Sequence, residues 1–398
     1  MKLFNTILGL FVLTLSSSIY AGDGPIAIKQ HPTENHLVVA LASGKISIVN
    51  SKSLKIEKSI SVAKNIKKIS FNNDGSMLWV HGETSNKPGN RLLGYGTKHW
   101  GLEKEVDGSD VSFSNDGSKA LVRESSFAKE LKIIDLTTGE KTGGIKIKFK
   151  NEENSSEFFG FSGDGKFVII SERSYGSGAK EIQVYNGDGY SSAPLRSYAS
   201  PEGITDGFAT GVVTKGDEHI VSGWSNSYKL SKDTCIALDR KYNYCSAFYA
   251  SPTGDFLFIM DSKGMKYKFD DFSSTSIAFD KVDGFFGKVK SVCSVNDKDF
   301  YYVTNDFIIG KLNAEGFALQ QELLEYTVSL KLRDSYKPEK VEAMQSALKK
   351  NGIKVTIPEK YDRKNPVIVK DGISIKDAHE YIQKMRKAEV KIQLAIVM

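Results

Sequence analysis

The chain has 398 residues, three cysteines and a formal net charge of +6. Three cysteines are too few and too odd in number for a disulfide framework, so burial rather than cross-linking must hold the fold together. The charge is uneven: from Leu324 to Met398 there are 16 Lys and Arg against 10 Asp and Glu, which leaves the rest close to neutral and marks the C-terminal end as a partner-facing module.

At the N-terminus, Lys2 precedes an apolar run from Ile7 to Leu15, and small polar residues lead to Ala21. This is the pattern of a secretory signal peptide over residues 1–21, cleaved after Ala21. The run is shorter than the roughly 20 residues a membrane span requires, and no later segment approaches that length, so a soluble periplasmic or secreted protein is expected. Gly22 rather than a cysteine follows, which does not favour a lipid anchor. About 377 residues remain, long for one ordinary domain, and two units are expected.

From residue 24 onward a phrase recurs: Ile69-Ser-Phe-Asn-Asn-Asp-Gly75, Val111-Ser-Phe-Ser-Asn-Asp-Gly117 and Phe159-Gly-Phe-Ser-Gly-Asp-Gly165. Weaker copies begin at Ile28, Val212, Phe248 and Val292, giving seven. Each copy is a short apolar strand, an Asp-Gly hairpin turn and a second apolar strand, such as Leu37–Leu41, Lys166–Ser171 or Phe256–Met260. A third strand follows, as at Lys45, Glu130 and Glu181, and a fourth closes each unit. Four strands per 40–50 residues is the signature of a β-propeller. With each unit starting on its inner strand, residues 24–323 contain seven complete blades and need no strand exchange to close. The phrase resembles the blades of the periplasmic YVTN and TolB-type propeller families, a resemblance that speaks to fold and little to ligand. In the fourth unit the clusters Ser174-Tyr-Gly-Ser-Gly and Asn186-Gly-Asp-Gly189 read as mobile loops rather than added strands.

Candidate chemistry in this region is sparse. The six histidines show no zinc-ligand spacing, and His31 and His36 read as solvated loop residues beside the first turn. The Asp-Gly pairs lack the alternating oxygen ligands of a calcium loop. Cys235 is expected at the start of an outer strand and Cys245 at the start of the next inner one, about 14 Å apart and too far for a bridge. No catalytic residue, metal, cofactor or disulfide is therefore assigned. The alternative is a propeller enzyme, of hydrolase, lyase or dehydrogenase type, with His, Glu or Arg residues converging at one mouth of the central channel.

Residues 324–398 read as strand, helix, strand, strand, helix, strand. Strands are expected at Tyr326–Arg333, Ile353–Ile357, Pro366–Lys370 and Val390–Val397. Helices are expected from Pro338 to Lys350, ended by Asn351-Gly352, and from Ile375 to about Ala388, capped by Ser374. The fold class expected is thus mainly β, a seven-bladed propeller followed by a small basic α+β unit of ferredoxin-like βαββαβ order. In length, C-terminal placement, Gly352 and internal two-fold pattern, this unit resembles a SPOR domain, and the resemblance implies binding to peptidoglycan glycan strands. Strand alternation places Thr327, Ser329, Lys331, Arg333, Lys354, Thr356, Lys391 and Gln393 on the open sheet face, a surface suited to a carboxylate-bearing glycan. The function expected is an envelope binding or scaffold protein, its propeller holding a protein partner and its basic unit an anionic polymer. Nucleic acid is disfavoured by export and by the lack of interleaved aromatics.

Overall fold

The computed structural model describes residues 24–397, apart from 85–88, 126–127, 148–154, 163–164, 175–177, 200–208, 224–226, 239–246, 251–255, 261–262, 272, 279–287, 295–298, 314–317, 323–324, 331–337, 355, 358–366, 375–376, 378–379, 382–383 and 385–391. The chain forms two compact units, one spanning Pro25–Gln321 and the other including Glu322–Met398.

Among the described residues, the first unit is a series of seven antiparallel four-stranded meanders, each contiguous in sequence apart from one exchanged segment. Sheet 1 holds β1 (Pro25–Gln30), β2 (His36–Leu41), β3 (Lys45–Asn50) and β4 (Ile56–Ser61). Sheet 2 holds β5 (Lys64–Phe71), β6 (Met77–Glu83), β7 (Asn90–Gly96) and β8 (Gly101–Asp107). Sheet 3 holds β9 (Asp110–Phe113), β10 (Lys119–Arg123), β11 (Glu130–Asp135) and β12 (Lys141–Lys146). Sheet 4 holds β13 (Ser155–Phe161), β14 (Phe167–Ser174), β15 (Gly178–Asn186) and β17 (Arg196–Ala199). The two-residue strand β16 (Tyr190–Ser191) leaves sheet 4 and pairs in parallel with β12 of sheet 3. Sheet 5 holds β18 (Ala209–Lys215), β19 (Glu218–Gly223), β20 (Ser227–Leu230) and β21 (Cys235–Leu238). Sheet 6 holds β22 (Ala247–Ala250), β23 (Phe256–Met260), β24 (Lys263–Tyr267) and β25 (Ser274–Ala278). Sheet 7 holds β26 (Val289–Cys293), β27 (Asp299–Thr304), β28 (Ile308–Asn313) and β29 (Ala318–Glu322).

First strands of successive sheets meet: β1 contacts β5, β13 contacts β9 and β18, and β22 contacts β18 and β26. The last first strand, β26, contacts β1, where the Ile28 N–H donates to Ser291 Oγ (3.1 Å). Each hydrophobic cluster is shared by two neighbouring sheets. Val38, Ile48, Ile69 and Val80 join sheets 1 and 2, Trp79, Val111 and Ile134 join 2 and 3, and Leu121, Ile133, Phe159 and Tyr185 join 3 and 4. A sheet on its own would leave these faces in water at about 1.5–3 kcal/mol per large aliphatic side chain, so the meanders are stable only when stacked. The Trp79 indole N–H reaches across the second seam to the Leu136 carbonyl (2.7 Å).

The repeated phrase has a shared physical basis at its turns. Asn72, Ser114 and Ser162 each donate their backbone N–H to the carbonyl five residues on, and their side-chain oxygens accept the N–H of that same residue at 2.9 Å. The glycine three residues on closes the turn with its own N–H, at φ values of 76°, 71° and 70° for Gly75, Gly117 and Gly165. The intervening carboxylate accepts the next N–H: Asp74 from Ser76 (2.8 Å) and Asp116 from Ser118 (3.0 Å). Two of these glycines also touch the preceding sheet, since a Cβ on Gly75 would lie 2.2 Å from the His31 ring and one on Gly117 2.5 Å from the Phe71 carbonyl oxygen.

One expectation for this unit is corrected, and one is extended. His31 is buried rather than solvated: its Nδ1 accepts the Glu34 N–H (3.0 Å), so Nε2 carries the proton and donates to the Gly75 carbonyl (2.9 Å). Of the fourth unit's glycine clusters, 175–177 lie outside the described residues and 187–189 bend out of the strands, but a strand is added beyond them. Ser174 and Gly178 lie within a β-hairpin, and after Gly189 the chain adds β16 to sheet 3, where Gly143 leaves room for the Gly189 carbonyl.

The second unit contains a three-stranded antiparallel sheet, with β30 (Glu325–Leu330) central between β31 (Val367–Ile373) and β32 (Ile392–Val397), and a helix, α1 (Pro338–Lys350). The helix ends as its sequence dictates: Gly352 takes φ 76°, its N–H bonds the Lys349 carbonyl (3.0 Å), and the Ile353 N–H bonds that of Leu348 (3.0 Å). Ser374 caps the second helical stretch by accepting the Asp377 N–H (3.0 Å), and the described residues beyond it, Asp377, Glu380, Tyr381 and Lys384, are helical. The strand expected at Ile353–Ile357 is not assigned at its described residues, which run outside the sheet. Both edges of β30 are already occupied by β31 and β32. No helix among the described residues is long and apolar enough to cross a membrane.

Candidate functional sites

In the C-terminal unit the expected polar surface is assembled only in part. Thr327 and Ser329 lie on β30, where the register sets them opposite Ala395 and Gln393 of β32, so Ser329 and Gln393 are direct partners. Lys354 and Thr356 are exposed between buried Ile353 and Ile357, on the segment that follows α1 rather than on a strand. Lys331, Arg333 and Lys391 lie outside the described residues. Sequence reasoning overlooked Lys349 and Lys350, which are exposed in the last turn of α1. With Lys354 they make one basic stretch around the helix terminus. The run Lys349-Lys350-Asn351-Gly352 signalled it, since lysines in a last turn are favoured by the partial negative charge there and remain solvated. Ammonium groups so placed can pair carboxylates or phosphates at little desolvation cost.

In the first unit, one cluster of ionisable groups lies where β5 and β6 meet the start of β9. Lys68 of β5 pairs with Asp110 of β9 (3.2 Å) and donates to the Val111 carbonyl. Beside this bridge His81 of β6 is 1% exposed. Burial first, and then the Lys68 charge, hold its imidazole down at about 4. The Gly108 carbonyl and Asp110 oppose the shift, but neither ring nitrogen completes a hydrogen bond among the described residues. A neutral imidazole closed off from solvent cannot exchange a proton with a ligand at the surface.

On other first strands, Lys29 of β1 lies beside Cys293 of β26. Burial lowers the lysine, an effect that Cys293 opposes; burial pushes the thiol up to about 12, against the pull of Lys29 and a backbone hydrogen bond from Gln30. Such a thiol keeps its proton at neutral pH and is a poor nucleophile. Cys235 opens the outer strand β21 as the sequence implied, with burial raising its thiol to about 11, while Cys245 lies outside the described residues. No group of three or more His, Cys, Asp and Glu suited to a metal ion occurs among the described residues.

No family model matches the chain, and no curated protein matches it. Among solved structures, the chain is similar to hydrazine synthase of Kuenenia stuttgartiensis, at 17% identity over 74% of this chain and 96% of that one, with a TM-score of 0.54. At this identity the likeness concerns the fold alone, and it supports a mainly β, β-propeller-like architecture for this chain.

Proposed function

We propose that this chain is an exported, non-enzymatic binding or scaffold protein of the cell envelope. In this reading, its first unit is a closed seven-bladed propeller that holds a protein partner, and its basic C-terminal unit is SPOR-like and engages an anionic polymer such as peptidoglycan glycan. The contact of β26 with β1 supports ring closure. The antiparallel order β31-β30-β32, with α1 following β30, is what a βαββαβ unit requires of its third, first and fourth strands, and supports that assignment. The observation that carries the functional reading is the exposed basic stretch of Lys349, Lys350 and Lys354 beside Thr356, on the part of the chain that holds its net positive charge. Ammonium and guanidinium groups pair sugar carboxylates, and short polar side chains bond hydroxyls, which is the role assigned to Thr327, Ser329, Lys331, Arg333, Lys354, Thr356, Lys391 and Gln393.

The test is co-sedimentation of the full mature chain with purified peptidoglycan sacculi at low and moderate salt. The parent should pellet with the sacculi, and joint replacement of Lys331, Arg333 and Lys391 by Ser should release most of it. Absence of parent binding removes the polymer reading. A periplasmic sample whose N-terminal sequence begins at Gly22 is expected; one beginning at Met1 contradicts export.

A further inference from the structure

The exposed lysines at the leading ends of the first strands play no part in the polymer site. β5 carries Lys64, Lys67 and Lys68 there, and β26 starts between Lys288 and Lys290; all five are exposed. β1 lies between these strands and contacts both. The bond from Ile28 N–H to Ser291 Oγ sets β26 level with β1, and His31 just beyond β1 bonds Gly75 just beyond β5, so the two lysine groups flank the same end of β1, at Pro25–Ala27.

All three strands lose regular register at this end, between Pro25 and Ala27, between Lys64 and Lys68, and between Val289 and Ser291. Such bulges redirect side chains out of the sheet's alternation, and Asn65 within one of them takes φ 47°. Among the described residues Lys64, Lys67 and Lys290 have no ion-pair partner; Lys68 pairs with Asp110, and Glu83, opposite Lys64, accepts from the Asn65 side chain (3.0 Å). At the far end of β5 the carboxylate of Asp74 is engaged in its own turn. Between the lysine groups β1 presents Ile26 and Ala27, only partly buried, and Val62 and Ala63, which lead into β5 at Lys64, are partly buried as well.

We infer that this end of the first unit docks an acidic segment of the protein partner, an extended Asp/Glu-rich stretch with an apolar residue between its carboxylates. The inference rests on the binding reading above and specifies the partner's chemistry. Cations on either side of an apolar strip match such a peptide, whereas a phosphate or glycan polymer has nothing to place on Ile26 and Ala27. Complementary charge around a partly apolar centre chiefly sets encounter rate and partner choice.

The probe is a fluorescein-labelled peptide of sequence Glu-Asp-Leu-Glu-Asp, titrated with the mature chain and followed by anisotropy. The parent should bind, less tightly as salt rises, and the Lys67→Glu/Lys290→Glu double variant should bind about tenfold more weakly. Lys67→Gln/Lys290→Gln should weaken binding in the same direction by less, which covers misfolding of the charge-reversed protein. Lys58→Glu, on the outer strand β4, should leave binding unchanged. Parent-like binding by the double variant, no binding by the parent, or binding to inorganic polyphosphate in preference to the peptide would each overturn the inference. Zero-length carboxyl-to-amine crosslinking in envelope fractions separates this claim from the reading beneath it. A partner linked through Lys64, Lys67 or Lys290 supports both, a partner linked only elsewhere on the unit overturns the inference alone, and no partner on the unit overturns both.

Discussion

His81 shows how one buried side chain sets a pH limit on the fold. Its imidazole titrates at about 4 in the folded chain, against an ordinary value of 6.5 that the unfolded chain recovers. Between those values the unfolded state binds a proton that the folded state refuses, so stability rises with pH across the window and is lost as pH falls from 6.5 toward 4. The difference amounts to about 3 kcal/mol at full development. Urea denaturation at pH 7.5 and 4.5 should show a smaller loss on acidification for His81→Leu than for the parent. Equal losses would mean that the imidazole is not held neutral. At this scale the candidate site was only partly legible. Lys354 and Thr356 are exposed as alternation implied, because isoleucines on both sides seek the core. His81 was not legible, since a histidine within an apolar strand says nothing of Lys68, which faces it from β5 of the same sheet, or of Asp110, which the next sheet brings beside it.

At the scale of elements, the hairpin turns were the most readable feature. An Asn or Ser followed by Asp-Gly specifies its bonds locally, so three clear copies sufficed to set the frame for the weaker ones. What resisted reading depends on partners distant in sequence. The alternation at 353–357 suggests a strand, yet its described residues pair with none of β30, β31 and β32, and Tyr190–Ser191 becomes a strand only because β12 offers an open edge. The turns also allow backbone strain to be separated from packing. Gly117 and Gly165 share nearly the same φ, but a Cβ on Gly165 would meet only Asp116 and Ser114 at an ordinary 3.7 Å, whereas one on Gly117 would strike backbone. Gly165→Ala should cost about 1–2 kcal/mol, the ordinary penalty for a left-handed residue. Gly117→Ala should cost roughly 3 kcal/mol or more, because the seam between sheets 2 and 3 must also open. Chemical denaturation of the two variants side by side measures the difference, and equal losses would show that the turn packs against nothing.

For the whole molecule, the division at Gln321 and Glu322 has a thermodynamic consequence. The first unit's stability is cooperative through its seams: every sheet shares its apolar residues with a neighbour, and β1 contacts the strand that opens the last sheet, so removing any one sheet exposes two others. The second unit draws on different terms, a helix closed by Gly352 and Ile353 and a sheet of three strands. Small units bury a lower fraction of their surface and are less stable, so the C-terminal unit should melt first. The chain carries its own reporters for this. All three tryptophans, Trp79, Trp100 and Trp224, belong to the first unit, whereas α1 belongs to the second. Heating the mature chain should produce a loss of far-ultraviolet helical dichroism before any change in tryptophan fluorescence, and calorimetry should resolve two transitions. Gly352→Ala should lower only the first, by removing the residue that takes the left-handed turn without strain. Coincident dichroism and fluorescence curves, or a Gly352→Ala variant that shifts both together, would show that the two units unfold as one.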